Sequence, residues 1–165
     1  MPDGVFADVL AANEEYARGF GLGGLPGRAA KDLAVVTCID TRIEPLPMLG
    51  LGPGDANVLR TGGARVGEEV LKTLVVAHRL LGVERAMVIG HTDCGLGAAT
   101  EDELHEALDL PGRPSTRGLS FAVAAGREET IRRDVELIRA FPYLDGLEAG
   151  GFLYDVETGL LSRVA

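Results

Sequence analysis

The sequence predicts an α/β fold with a mainly parallel β-sheet core flanked by helices. Three short apolar runs have the pattern of strands that are buried on both faces of a parallel sheet: Leu33–Cys38, Ala56–Leu59 and Ala86–Ile89. A longer segment with apolar residues at helical spacing separates the second run from the third. Strands that alternate with helices through right-handed crossovers build a layered fold around a parallel sheet.

The N-terminal segment, Asp3 to Gly19, predicts an amphipathic helix, because apolar side chains such as Phe6 and Leu10 recur on one face. The stretch that follows, Gly19–Gly27, contains five glycines and one proline and predicts a flexible connector. We expect residues 1–27 to form an arm that either packs on a neighbouring subunit or folds back on its own core. The whole chain, residues 1–165, is expected to form one domain.

The remaining elements follow from periodicity and from turn residues. Residues Val66–Leu81 carry apolar side chains at helical spacing and are followed by Gly82, as is usual at the end of a helix. A short helix is predicted over Glu101–Leu108 and a long helix over Leu119–Ala140. The segment Gly151–Val164 predicts a strand or a small hairpin that closes one edge of the sheet.

Composition and charge narrow the classes of function. The chain has 25 acidic and 16 basic residues and a net charge of −9, which argues against binding to nucleic acid or to an anionic membrane. Its apolar stretches are too short and too interrupted to cross a bilayer, and its first residues show no secretory signal. These features predict a cytoplasmic protein in which a structural disulfide is not expected.

Both cysteines of the chain lie at the ends of predicted core strands. Cys38 ends the first strand, with Asp40 two residues later, while His91 and Cys94 follow the third. If these strands are neighbours, their carboxyl ends flank one crevice and the four side chains converge there. Two thiolates and an imidazole are a ligand set that zinc favours, with a fourth position for a carboxylate or water. Buried core cysteines and a redox pair are the alternatives, but neither explains the histidine or the aspartate.

Two motifs in this order resemble those of the β-class carbonic anhydrases. Cys38-Ile39-Asp40-Thr41-Arg42 is similar to the Cys-x-Asp-x-Arg motif of that family, and His91-Thr92-Asp93-Cys94-Gly95 is similar to its His-x-x-Cys-Gly motif. The stretch from Gly54 to Arg60 also resembles the family, and the short chain resembles its compact prokaryotic members. One departure is present, because Thr61-Gly62-Gly63 stands where the family usually reads Asn-Ala-Gly.

The resemblance implies a zinc lyase that catalyses the reversible hydration of CO2 to bicarbonate and a proton by zinc-bound hydroxide. It implies that Cys38, His91 and Cys94 bind Zn2+, and that Asp40 and Arg42 are the catalytic pair. Arg42 would hold Asp40 in a bidentate ion pair and keep it off the metal. If that pair broke, Asp40 would become a fourth ligand in a closed, inactive site. The resemblance further implies a homodimer or homotetramer.

Other interpretations remain open from the sequence. A related zinc hydrolase acting on CS2 or COS would keep the same residues, and a non-catalytic zinc-stabilised scaffold or sensor would keep only the ligands. Asp40 and Arg42 could also form a simple surface pair. Among the remaining polar residues, Asp93 is predicted to cap the following helix or to orient a backbone amide. His105 is predicted to be a solvated helix residue.

Overall fold

The computed structural model describes residues 4–121, 123 and 126–165, and it contains a five-stranded sheet in the order β2-β1-β3-β4-β5. The strands are β1 (Leu33–Cys38), β2 (Ala56–Thr61), β3 (Arg85–His91), β4 (Glu148–Tyr154) and β5 (Leu161–Arg163). The first four pair in parallel, and β5 pairs antiparallel with β4. The predicted parallel core and the closing hairpin at one edge are therefore confirmed. The expectation that Ala56–Leu59 is buried on both faces is wrong, because β2 lies at the edge of the sheet and none of its residues is buried.

Five α-helices and three short 3-10 turns connect the strands of the described chain. The helices are α1 (Ala7–Arg18), α2 (Glu68–Leu81), α3 (Gly95–Ala98), α4 (Glu101–Leu108) and α5 (Arg127–Arg139). The 3-10 turns span Pro47–Leu49, Gly62–Ala64 and Pro142–Leu144. Gly82 takes a left-handed conformation at the end of α2, with φ of +72°, as predicted.

The prediction of one long helix from Leu119 is wrong at its beginning. Helix α5 begins at Arg127, and Leu119–Phe121 and Val123 lie outside any helix. Gly126 precedes the helix with φ of +94°, a conformation that a helix cannot continue through, and acidic residues occupy the first turn after it. Ala124, which that prediction placed on the helix, lies outside the described residues.

Helices α2 and α5 pack together on one face of the sheet. Their buried side chains, which include Leu74 and Val135, form one core cluster with Ala34 and Val36 of β1. The alternate residues of β1 point to the opposite face, where they pack with the segment around Met48. This second face carries an apolar groove of about 360 Å³. The groove is lined in part by Leu33, Leu49, Leu51, Met87 and Phe152.

Helix α5 lies unusually close to the sheet at two glycines. A Cβ atom on Gly90 would come within 2.9 Å of Ile131 Cδ1, and one on Gly151 within 2.6 Å of Ile131 Cγ2. Real Cβ atoms do not make contacts this short, so the glycines let the helix approach the strands. This close approach packs α5 directly against β3 and β4.

Helix α1 makes no buried contact within the described chain. Val5, Phe6, Val9, Leu10 and Tyr16 are each more than half exposed, although they are large and apolar. Residues Ala7–Arg18 therefore form a helix in which no residue is buried. Among the residues that the structure describes, no helix combines the length and the apolar character needed to span a bilayer.

Candidate metal centre

The sheet brings together the three residues that the sequence predicts as metal ligands. Cys38 is the last residue of β1, His91 is the last residue of the neighbouring β3, and Cys94 follows after a two-residue turn. The two sulfur atoms and an imidazole nitrogen lie within 4.8 Å of one another, and all three side chains are buried. This is the convergence that neighbouring strand ends predict.

The imidazole of His91 presents an unpaired nitrogen to this cluster. Its Nδ1 lies 2.8 Å from the carbonyl oxygen of Thr92, so Nδ1 carries the proton and donates it. Nε2 is left as an acceptor, and within the described residues it is buried with no hydrogen-bond partner. Burial also lowers the pKa of His91, which favours the neutral form that binds metals. A buried acceptor nitrogen beside two thiols fits a zinc ion well.

The turn between the two motif ligands is tied to β4. Asp93 adopts a positive φ of 52°, which turns the chain sharply between His91 and Cys94. The backbone amide of Thr92 donates to the Tyr154 carbonyl at 2.9 Å, and the Thr92 hydroxyl accepts from the Val156 amide at 3.0 Å. These bonds fix the position of Cys94 relative to the strands.

Asp40 and Arg42 form a tight pair next to the ligand cluster. Arg42 donates from Nε to Asp40 Oδ1 at 3.0 Å and from Nη2 to Asp40 Oδ2 at 2.7 Å. The side-chain hydrogen bond from Arg42 holds the pKa of Asp40 well below its usual range, and the same bond raises the pKa of Arg42. Asp40 Oδ2 lies 3.9 Å from His91 Nε2, so the carboxylate stands beside the unpaired nitrogen of the imidazole.

One of the two roles predicted for Asp93 and the predicted exposure of His105 are wrong. Asp93 does not cap the following helix, because Cys94 occupies the cap position; its carboxylate instead accepts from Arg42 Nη1 at 2.7 Å. His105 is buried rather than solvated, and its Nδ1 lies 2.9 Å from Thr116 Oγ1 while its ring packs on Phe121. The chain after α4 folds back over the histidine, a tertiary contact that the local helical pattern does not reveal.

Sequence reasoning missed several contacts behind the ligands. The backbone amide of Gly63 donates to Cys38 Sγ at 3.3 Å, and Arg60 donates to the carbonyl oxygens of Cys38 and Asp40 at 3.0 and 2.6 Å. A buried ion pair joins Arg65 to Asp134. The Gly63 contact leaves no pattern in a sequence because its donor is a backbone amide, and the arginine contacts join residues that are 20 to 69 positions apart.

The fold and this cluster define a zinc enzyme of the α/β class with its site at the carboxyl ends of parallel strands. Comparison with known proteins identifies the family to which the chain belongs. Residues 33–113 match the family model described as carbonic anhydrase. The chain is 36% identical over 160 residues to beta-carbonic anhydrase 1 of Mycobacterium tuberculosis, which covers 95% of this chain and 96% of the relative.

A solved structure and a second relative extend the comparison. The crystal structure of a carbonic anhydrase from Streptococcus mutans superimposes with a TM-score of 0.89 at 34% identity, covering 97% of each chain. A carbon disulfide hydrolase of Acidithiobacillus thiooxidans is 27% identical over 84% of this chain and 78% of its own length. The chain belongs to the β-carbonic anhydrase family, whose members use zinc to catalyse the reversible hydration of CO2.

Proposed function

We propose that the chain hydrates CO2 at a zinc ion held by Cys38, His91 and Cys94, with Asp40 and Arg42 as its catalytic pair. The observation that carries this proposal is the position of Asp40. Its carboxylate stands 3.9 Å from the unpaired His91 Nε2 while Arg42 binds both of its oxygens. A purely structural zinc site needs no such oriented carboxylate.

The zinc ion would supply a nucleophile at neutral pH, because coordination to zinc strongly lowers the pKa of bound water, to about 7. The chain's own residues orient the reaction. Asp40 is held ionised by Arg42, so it acts as a hydrogen-bond acceptor and not as an acid at neutral pH. It accepts a hydrogen bond from the reacting solvent molecule and aims that molecule's lone pair at the carbon of CO2.

Arg42 keeps the carboxylate in this orientation. Its guanidinium is held in turn by Asp93, through the carboxylate at 2.7 Å and the backbone carbonyl at 3.0 Å. The bidentate contact to Asp40 and the second anchor together prevent Asp40 from swinging onto the metal. Arg42 therefore favours the open, active state of the site over a closed state in which Asp40 is the fourth ligand.

Hydrolysis of CS2 is the second candidate function, because a carbon disulfide hydrolase is among the relatives. Stopped-flow assays of the zinc-loaded protein with CO2 and with CS2 separate the two. We expect rapid hydration of CO2 and little or no release of sulfide from CS2. Sulfide release that is faster than CO2 hydration would overturn the proposal in favour of the hydrolase.

We also propose that α1 packs on a neighbouring subunit of a homodimer or homotetramer. Two surfaces support this: the exposed apolar face of α1, and the groove on the sheet face opposite α2, whose lining combines apolar residues with the charged Arg85, Glu148 and Arg163. The glycine-rich connector from Gly19 to Gly27 gives the helix the reach to leave its own core. Exposed apolar surface of this kind usually marks an interface. A cytoplasmic location stays a prediction from the sequence.

A further inference from the structure

A buried ion pair lies behind the metal centre, between helix α5 and the segment after β2. Asp134 is 1% exposed, and its Oδ1 accepts from Arg65 Nη2 at 3.0 Å. Burial raises the pKa of Asp134 and lowers that of Arg65, and the contact between the two groups opposes both shifts. Burying two charges costs desolvation free energy, so a buried ion pair is weak evidence that its role is to stabilise the fold.

Asp134 holds the same segment at a second point. Its Oδ2 accepts from the backbone amide of Val66 at 3.0 Å, so one carboxylate binds two consecutive residues. At the beginning of this segment, the Thr61 hydroxyl donates to the Arg65 carbonyl at 3.0 Å, which holds the two ends of the segment together. Between these contacts the chain makes the tight 3-10 turn Gly62–Ala64, in which Gly63 has φ of +66°.

This turn places the Gly63 backbone amide next to Cys38, one of the proposed ligands. The amide of Gly63 donates to Cys38 Sγ at 3.3 Å, and the partner of Cys38 in the sheet is Thr61, where the turn begins. Gly62 sits against Leu96, since a Cβ there would come within 2.9 Å of the leucine Cδ1. The direction of the Gly63 amide thus depends on where the two ends of the turn are held.

We propose that Asp134 is a positioning residue of the metal centre, which anchors the segment from Thr61 to Val66 so that the Gly63 amide donates to the Cys38 sulfur. This inference rests on the proposed role of Cys38 as a zinc ligand. A hydrogen bond to a metal-binding thiolate withdraws charge from the sulfur and fixes its direction. Partners of this kind typically change metal affinity by about 10–100-fold.

The test compares four forms of the full-length, metal-loaded protein with the parent. Asp134→Ala removes both contacts, and Asp134→Asn keeps one acceptor for the Val66 amide. The double variant Arg65→Leu/Asp134→Leu removes the contacts without leaving a buried unpaired charge, so it remains informative if Asp134→Ala does not fold. Glu136→Gln is the matched control, because it breaks an ion pair with Arg139 on the exposed side of the same helix.

Three measurements are made on each form: hydrogen exchange of the Gly63 amide, the thiolate-to-metal charge-transfer band of the Co2+ protein, and the dissociation constant for Zn2+. In Asp134→Ala and the double variant we expect Gly63 exchange to rise by about tenfold or more. The charge-transfer band moves to longer wavelength as the sulfur becomes richer in charge, and zinc affinity falls by about 10–100-fold. Asp134→Asn gives a smaller change, and Glu136→Gln gives none.

A folded double variant with the Gly63 exchange rate and the charge-transfer band of the parent would overturn the inference, because Asp134 would then serve packing alone. Absence of a thiolate band from the parent Co2+ protein would have a different meaning. It would overturn the proposed ligand set itself, and with it the basis of the inference.

Discussion

Arg42 binds the carboxylate of Asp40 through three donors: its backbone amide at 2.9 Å, Nε at 3.0 Å and Nη2 at 2.7 Å. The two residues are separated by only one position, so the same short turn that follows β1 creates both the pair and its orientation. A surface ion pair between flexible side chains contributes little. This pair is held by backbone as well as side-chain contacts beside buried ligands, which is why we treat it as catalytic.

The first prediction separates catalysis from metal binding. Asp40→Asn removes the charge that Arg42 holds, and Arg42→Ala frees the carboxylate to bind the metal. Both variants are expected to retain zinc, since Cys38, His91 and Cys94 are unchanged, and to lose about 10²–10⁴-fold in CO2 hydration. Arg42→Ala should recover partly at high pH, where hydroxide competes with the carboxylate for the same ligand position. Stopped-flow rates between neutral and alkaline pH measure this difference.

Asp93→Asn is the matched control for that pair. It weakens one anchor of Arg42 but leaves the contact between Arg42 and Asp40, so we expect a much smaller loss of activity. If Asp40→Asn and Arg42→Ala both hydrate CO2 at the parent rate, the pair is structural.

The second prediction concerns the metal. Cys94→Ser and His91→Gln are expected to reduce bound zinc from about one ion per chain to a small fraction, because each removes one of three ligands. Their unfolding temperatures should fall as well, since the metal joins the ends of two strands. Metal analysis of purified protein makes the measurement. His78→Gln is the control, since His78 lies on α2 and contacts the backbone carbonyls of Val83 and Asp145. Full zinc in Cys94→Ser would refute the site.

The third prediction concerns assembly. Leu10→Asp places a charge on the exposed apolar face of α1 and should shift the protein toward monomer at micromolar concentration, as should removal of the first 20 residues. Ala11→Asp, on the opposite side of the same helix beside Asp8, Glu14 and Glu15, is expected to leave the assembly unchanged. Sedimentation velocity measures all of these forms. A monomeric parent would show that α1 is not an interface.

The fourth prediction is a pH dependence of stability. Backbone and hydroxyl hydrogen bonds from Thr116 and Ser115 lower the pKa of Asp109 from 3.8 to about 2. Because the folded state favours the charged form, this contribution is complete above pH about 4 and is lost as the pH falls toward 2. Asp109→Asn should therefore be less stable than the parent at neutral pH, by a margin that narrows in acid. Urea unfolding at several pH values measures the margin, and one that stays constant would contradict the assignment.

The fifth prediction tests the close approach of α5. Gly151→Ala adds a methyl group 2.6 Å from Ile131 Cγ2, and overpacking of this kind costs about 1–3 kcal/mol in the free energy of unfolding. In an Ile131→Ala background the same substitution should cost much less, which a double-mutant cycle by urea unfolding detects. Gly118→Ala, where no atom lies within 4 Å of the added Cβ, is the control. Equal costs in both backgrounds would contradict the packing described here.

Strands β1 and β3 could be predicted from the sequence because they are short and almost continuously apolar runs. The convergence of Cys38, His91 and Cys94 could also be predicted, because Cys38 and His91 lie at strand ends and the ends of parallel strands meet at one edge of the sheet. The beginning of α5 could not be predicted, because apolar residues after Leu119 mimic a helical pattern, whereas Leu119–Phe121 and Val123 are not helical and Gly126 takes a positive φ. The burial of His105 and the pairing of Arg65 with Asp134 depend on contacts between segments far apart in sequence, which local patterns do not encode.

The buried pair of Arg65 and Asp134 also constrains how this sequence can vary among relatives. Loss of either partner alone would leave an unpaired buried charge, a change that typically costs about 3–5 kcal/mol, while replacing both with apolar residues is close to neutral. Residues 65 and 134 are therefore expected to change together during evolution. The intermediate with only one substitution should be less stable than either the parent or the doubly substituted protein. Lineages that carry an uncharged residue at one position should carry one at the other, whatever else differs between them.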